Sequence, residues 1–279
     1  MRESFKKLVP RAIGTYLNML SLFSPARTQK KAFDLFSKPR RGRIGEHHKA
    51  FLDNAKEARV EHDGLEIQVY HWPGKGPTIL LVHGWESNSH RWKMLIEQLI
   101  PQGYDIYTFD APAHGHSTGT NLYVPLYRDV LHTIISRYAP QYIIGHSVGA
   151  MTTLYELSQS KDNNIKKAVL LGPPDDLDSI LGEYRSILGL RQRVMQQLDA
   201  YFQKRFGFKS SSFASSLFAR NIKTPGLIIH DKDDRITPLS GSKNIHKNWR
   251  GSQLIITEGL NHSLYDRDVN KKIIDFISA

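Results

Sequence analysis

From residue 58 the spacing of apolar and polar positions switches repeatedly between a period of two and a period near 3.6. "ARVEHDGLEIQVYHW" alternates on both sides of Asp63-Gly64, which predicts a hairpin turning at that pair. "TILLVHG" is an unbroken apolar run, as a strand buried on both faces requires. "RWKMLIEQLIPQGY" has helical spacing and ends before Pro101 and Gly103. "DIYTFD" reads as the next strand. "LYRDVLHTIISRY" then sets Leu126, Val130, Leu131, Ile134 and Ile135 on one helical face. "QYIIGHS" predicts a strand and "GAMTTLYELSQ" a helix. "KKAVLLGPP", "PGLIIHD" and "SQLIITEG" add three strands, and "DVNKKIIDFIS" closes with a helix. Eight strands with helices between most of them predict an α/β fold: a mostly parallel sheet with helices on both faces.

Two stretches fall outside this rhythm. Between Pro174 and Thr224 no strand pattern occurs, and Val194, Met195, Leu198, Tyr201 and Phe202 form a helical stripe. A connection this long is uncommon without structure of its own, so residues 175–223 are expected to be a helical insertion over the strand ends. The core is then expected over 58–174 and 224–279. The other stretch is the N-terminal arm, residues 1–57. Ile13, Tyr16, Leu17, Leu20 and Phe23 recur at helical spacing, with Pro10 suited to a first turn and Pro25 as the stop. An amphipathic helix packed on its own domain is the expectation.

Charge changes the picture only for the arm. The chain of 279 residues has a formal net charge of +11, and its first 50 residues hold 12 Lys/Arg against 3 Asp/Glu, so the remainder is near neutral. A basic arm suits an ordinary solvated surface or an anionic partner. No nucleic-acid motif accompanies the charge, so nucleic acid is not an expected partner. Peripheral membrane contact through the arm is the less favoured reading beside a structural role. The first 25 residues are too polar for a secretory leader, which leaves the cytoplasm as the expected location. The chain has no cysteine, which excludes disulfides, zinc–thiolate sites and a thiol nucleophile.

Candidate chemistry centres on "IIGHSVGA", a Gly-x-Ser-x-Gly pattern at Gly145, Ser147 and Gly149. The pattern is weak alone, but a predicted strand precedes it and a predicted helix follows it. That is the setting of a nucleophile elbow, in which a sharp turn exposes the serine Oγ and the N–H of Val148 faces an oxyanion. A serine needs a base. His262, in the polar loop "GLNHSLYD", is the candidate. His83, His146 and His230 adjoin apolar strand ends and read as structural. His114 and His116, in "APAHGHSTG", could line the site. The histidine in turn needs a carboxylate, and "IIHDKDDRITP" offers Asp231, Asp233 and Asp234 just past a strand. "LLVHGW" ends a strand with His-Gly, so that Gly84 lets the chain turn and the N–H of Trp85 becomes a second oxyanion donor.

Together, "HGW", "DAPAHGHS", "GHSVGA", "HDKDDRITP" and "NHS" resemble the α/β-hydrolase family over roughly residues 58–279. The resemblance implies Ser147 as nucleophile, His262 as base and an aspartate of the 231–234 loop as acid. The family places that acid three residues after a customary glycine, whose position Asp231 occupies here, and the count leads to Asp234. It also implies that the insertion is a cap, and it implies no metal or organic cofactor. A serine nucleophile sets the chain apart from dehalogenase and epoxide-hydrolase branches, which use aspartate. The expected function is cleavage of carboxylic esters of a partly apolar small molecule. Thioesterase or lysophospholipase chemistry with the same triad, or a non-catalytic ligand-binding protein on the same fold, are the alternatives.

Overall fold

All eight strands expected from the hydrophobic pattern form. In chain order the elements are α1 (Arg2–Phe23), α2 (Pro25–Ser37), α3 (Glu46–Leu52), β1 (Lys56–His62), β2 (Leu65–Trp72), β3 (Thr78–Val82), α4 (Lys93–Leu99), β4 (Asp105–Phe109), α5 (Val124–Tyr138) and β5 (Tyr142–His146). They continue with α6 (Val148–Gln159), β6 (Lys167–Leu171), α7 (Leu177–Leu188), α8 (Gln192–Phe206), α9 (Ser215–Ala219), β7 (Gly226–Asp231), α10 (Leu239–Asn248), β8 (Ser252–Thr257) and α11 (Arg267–Ser278). The structure, a computed structural model, describes residues 2–160 and 164–279. The chain divides into two units, Met1–Lys38 with Asp176–Ala214, and Pro39–Asp175 with Ser215–Ala279.

The larger unit holds one sheet in the order β1-β2-β4-β3-β5-β6-β7-β8. β1 and β2 pair antiparallel through the turn at Asp63 and Gly64, both at positive φ. β2 also runs antiparallel to β4, and every pair from β4 to β8 is parallel. Successive strand residues face opposite sides. Leu80, Val82, Ile143, Leu170 and Ile228 pack with Tyr127, Leu131 and Ile134 of α5, Leu154 of α6 and Ile245 of α10. Their neighbours Ile79, Leu81, Ile144, Leu171 and Ile229 pack with Leu95 and Ile96 of α4 and Val269 and Ile273 of α11. Continuous apolar runs are therefore necessary, because both faces are covered. The parallel order also gathers the C-terminal ends of β3, β5, β7 and β8 along one edge, where ligands bind in open α/β sheets.

The smaller unit is helical. Leu17, Ala32, Phe33, Leu181, Leu188, Val194, Leu198 and Phe202 are buried. α1 runs very close to the end of α7: a Cβ on Gly14 would lie 1.8 Å from the Leu188 carbonyl oxygen. Asn18 spans the α7–α8 junction, donating to Gly189 O at 2.9 Å and accepting from Arg191 N–H at 2.7 Å. Three details of the arm differ from the sequence reading. Pro10 lies inside α1, because the helix already starts at Arg2. Pro25 ends one helix and opens the next at N1, where its missing N–H costs nothing. Of the expected apolar stripe only Leu17 is buried, while Tyr16 and Phe23 are exposed.

Candidate active site

β5 ends at His146 and α6 begins at Val148, so Ser147 alone makes the strand-to-helix turn. It does so at φ 54°, ψ −125°. For a residue with a Cβ such a conformation costs on the order of 1–3 kcal/mol and needs surroundings that enforce it. They are present. The Ser147 N–H donates to Leu171 O at 2.9 Å. A Cβ on Gly145 would lie 2.8 Å from Ala150 Cα, and one on Gly149 would lie 2.4 Å from His83 O. Only glycines allow α6 to start this close to β5 and β3. A Cβ on Gly84 would meet the Ser147 Cβ at 2.9 Å, so the loop after β3 passes directly beside the serine.

Three of the expected side chains meet. His262 Nε2 lies 2.9 Å from Ser147 Oγ, and His262 Nδ1 lies 2.7 Å from Asp234 Oδ2. A carboxylate only accepts, so Nδ1 carries the proton and the Nε2 lone pair faces the serine hydroxyl. Ser147 and Asp234 are buried and the His262 side chain is 19% exposed, so the pair is shielded but within reach of solvent. Asp234 is firmly held. Its Oδ1 accepts from the N–H groups of Ile236 and Thr237 at 2.8 and 3.0 Å, and the Thr237 hydroxyl donates to Oδ2 at 2.8 Å. Burial pushes the Asp234 carboxyl up, but these bonds, with His262 and the adjacent His230, outweigh it and hold the group well below the usual carboxylate range.

The other two aspartates have different tasks. Asp231 Oδ2 accepts from the Thr257 hydroxyl at 2.8 Å and from Leu260 N–H at 3.0 Å. Asp233 Oδ2 accepts from Gly259 N–H at 3.1 Å. Both tie the loop after β7 to the loop that carries His262. That second loop is conformationally demanding, with Asn261 at φ 55° and Leu264 at φ 49°. His146 pins it as well: its Nε2–H donates to His262 O at 2.9 Å, and Arg91 donates to Ser263 O at 3.0 Å. Burial holds His146 well below the usual histidine range, so it stays neutral and keeps that tautomer. Neither Thr237 nor Arg91 stood out in the sequence, because nothing in residue type or spacing marks a loop-bracing contact between distant segments.

His83, expected to be structural, is a neutral backbone clamp. Its Nδ1–H donates to Gly84 O at 2.8 Å and its Nε2 accepts from Ala111 N–H at 2.9 Å, while burial pushes it down to about 3. His230 is tied differently: its Nε2–H donates to Thr237 O at 2.9 Å, and its Nδ1 lies 2.6 Å from the Ser242 hydroxyl. His114 bonds Pro112 O through Nδ1 and accepts from Glu86 N–H through Nε2, so it braces the loop that contains Trp85. His116 is exposed and its Nδ1 lies 2.8 Å from the Tyr70 hydroxyl. Trp85 and Val148 pack at the edge of the core, Val148 as the first residue of α6, where backbone N–H groups have no partner within the helix. The arrangement can accept a proton from Ser147 and stabilise the imidazolium that results.

The depressed Asp234 carboxyl makes the fold acid-sensitive. A group that binds protons less readily when folded stabilises the fold above its unfolded value, and that contribution drains away as pH falls from about 4 toward the lower native value. Asp231, which its loop bonds also hold low against the upward push of burial, acts with the same sign. Urea unfolding at a series of pH values should show stability falling below that point. Asp234→Asn should be less stable at neutral pH and show a shallower acid slope. An unchanged slope would rule out this origin.

Residues 77–216 match the family model described as alpha/beta hydrolase fold. Among known proteins, the chain is 24% identical over 274 aligned positions to the bifunctional esterase/perhydrolase DCH of Acinetobacter calcoaceticus, covering 78% of this chain and 98% of that one. It is 37% identical over 84 residues to the pimeloyl-[acyl-carrier protein] methyl ester esterase of Xylella fastidiosa, 29% of this chain and 31% of the relative. Among solved structures, the esterase from Exiguobacterium antarcticum superimposes with a TM-score of 0.63 at 18% identity, over 80% of this chain and all of that one. At that identity the structural likeness is one of fold.

Proposed function

The chain belongs to the alpha/beta hydrolase fold family, and from that premise we propose that it hydrolyses carboxylic esters through an acyl-enzyme on Ser147. The observation that carries this reading is the unbroken hydrogen-bonded chain Ser147–His262–Asp234, with the serine on a strained elbow. Ser147 Oγ attacks the ester carbonyl as His262 Nε2 takes its proton. Asp234 stabilises the imidazolium and holds its Nδ1–H in place. The N–H groups of Trp85 and Val148 stabilise the oxyanion. The tetrahedral intermediate collapses, and the leaving alkoxide takes the proton from His262. Water, deprotonated by the same histidine, then releases the carboxylic acid and restores Ser147.

The substrate is a small-molecule ester, as the names of the esterase relatives suggest. The helical insertion is assigned the role of cap on its place in the connectivity alone, between β6 and β7. Thioesterase and lysophospholipase activity use the same groups, and a set of acyl esters, thioesters and lysophospholipids of graded chain length separates them. A serine-directed organophosphorus reagent should block turnover of the best substrate and label one peptide, the one that contains Ser147. Labelling elsewhere would overturn the assignment, and a chain that neither turns over nor reacts would be a ligand-binding member of the family.

A further inference from the structure

We propose that the outward face of the α1–α2 hairpin docks this protein on an anionic lipid surface. α1 has two faces. Gly14, Leu17 and Ser21 are buried against the rest of the smaller unit. The opposite side carries Leu8, Tyr16, Met19, Leu22 and Phe23, all exposed. The steps between Leu8, Ala12, Tyr16, Met19 and Phe23 are three or four residues, so these side chains form one continuous stripe. Leu22 is 53% exposed and Phe23 85% exposed, far more than a scatter of single surface leucines would explain. A helix that serves only as packing has no physical reason to place its largest apolar side chains in water.

α2 supplies the complementary feature. Its exposed positions include Arg27, Lys30 and Lys31, Lys38 follows at its end, and Arg11 stands exposed on α1. Lys31 Nζ sits 5.9 Å from the centre of the Tyr16 ring, which brings the basic face of α2 to the edge of the apolar stripe. The first 50 residues carry most of the protein's net positive charge, 12 Lys/Arg against 3 Asp/Glu. An apolar stripe flanked by lysine and arginine is the arrangement of a helix that lies in the membrane interface: side chains enter the acyl boundary while cations meet lipid headgroups. Among the described residues no helix is long and apolar enough to cross a membrane, so the contact is peripheral. A second copy of the chain is the poorer occupant, because a symmetric pairing of these faces sets like charges against one another. The docking face lies within the smaller unit alone and is independent of the chemistry of Ser147.

Co-sedimentation of the full chain with vesicles tests it. The protein should bind equimolar phosphatidylcholine–phosphatidylglycerol vesicles, bind phosphatidylcholine vesicles weakly, and lose anionic binding as salt rises. Leu22→Ser with Phe23→Ser should lower the partition coefficient by roughly a hundredfold. Lys30→Glu with Lys31→Glu should lower it by at least about tenfold. All four side chains are exposed, so both double variants should keep the wild-type melting temperature. Absence of binding by the wild type, or binding by both folded variants equal to the wild type, would overturn the proposal. So would a wild-type dimer that the Leu22/Phe23 variant dissociates without any vesicle binding, since the face would then be a contact between copies.

Discussion

Ser147→Ala should lower kcat for the best ester by about 10⁵–10⁶, as loss of the nucleophile does in serine proteases. Alanine removes the only atom at this turn that can attack a carbonyl. His262 is left without the hydroxyl that sits 2.9 Å from its Nε2. The fold should persist, because the elbow is held by Leu171 O and by the glycines around it, and alanine leaves both intact. Residual turnover should stay above the uncatalysed rate, since the backbone donors proposed at positions 85 and 148 survive. Ser147→Gly separates strain from chemistry. It should be as inactive as the alanine variant and yet more stable, by roughly 1 kcal/mol, because glycine adopts φ 54° without a Cβ penalty. Steady-state kinetics and urea unfolding of the two variants check both halves. Substantial turnover by either variant would remove Ser147 from the reaction.

Asp234→Asn should lower kcat by on the order of 10⁴ with little change in shape. The asparagine amide can donate to His262 Nδ1, which favours the tautomer whose Nε2–H points at the serine. The base is then occupied, and the charge that supports the imidazolium is gone. The effect should be specific to this aspartate. Asp231→Asn weakens bonds to Thr257 and Leu260, and Asp233→Asn weakens one to Gly259, so both should lose stability before they lose turnover. A near-normal rate for Asp234→Asn beside a collapse for either neighbour would mean that the acid is elsewhere in the loop.

The parts of this protein legible in its sequence are those set by local periodicity or by one residue's backbone demands. Runs such as "TILLV" and "YIIGH" mark strands covered on both faces, and Asp63-Gly64 marks a turn that needs positive φ twice. Gly145 and Gly149 around Ser147 announce the tight entry into α6 for a different reason, since a Cβ at either would collide with neighbouring backbone. Helices with little apolar contrast were not legible. α10, "LSGSKNIHKN", buries only Gly241, Ser242 and Ile245, too few to show a period, and α2 hides behind a proline that reads equally as a stop or a start.

Tertiary structure alone decided questions of distance and direction. Three aspartates within four positions carry the same chemistry in sequence; only the fold places one at 2.7 Å from His262 and turns the others toward Thr257, Leu260 and Gly259. Thirteen histidines look alike until burial and backbone partners make His83 and His114 neutral clamps and leave His262 facing a hydroxyl. The amphipathic period of α1 was visible, but a period does not say which face meets protein and which meets solvent. That is decided by the partners a helix finds in space, and here the close approach of Gly14 to Leu188 turns Leu22 and Phe23 outward.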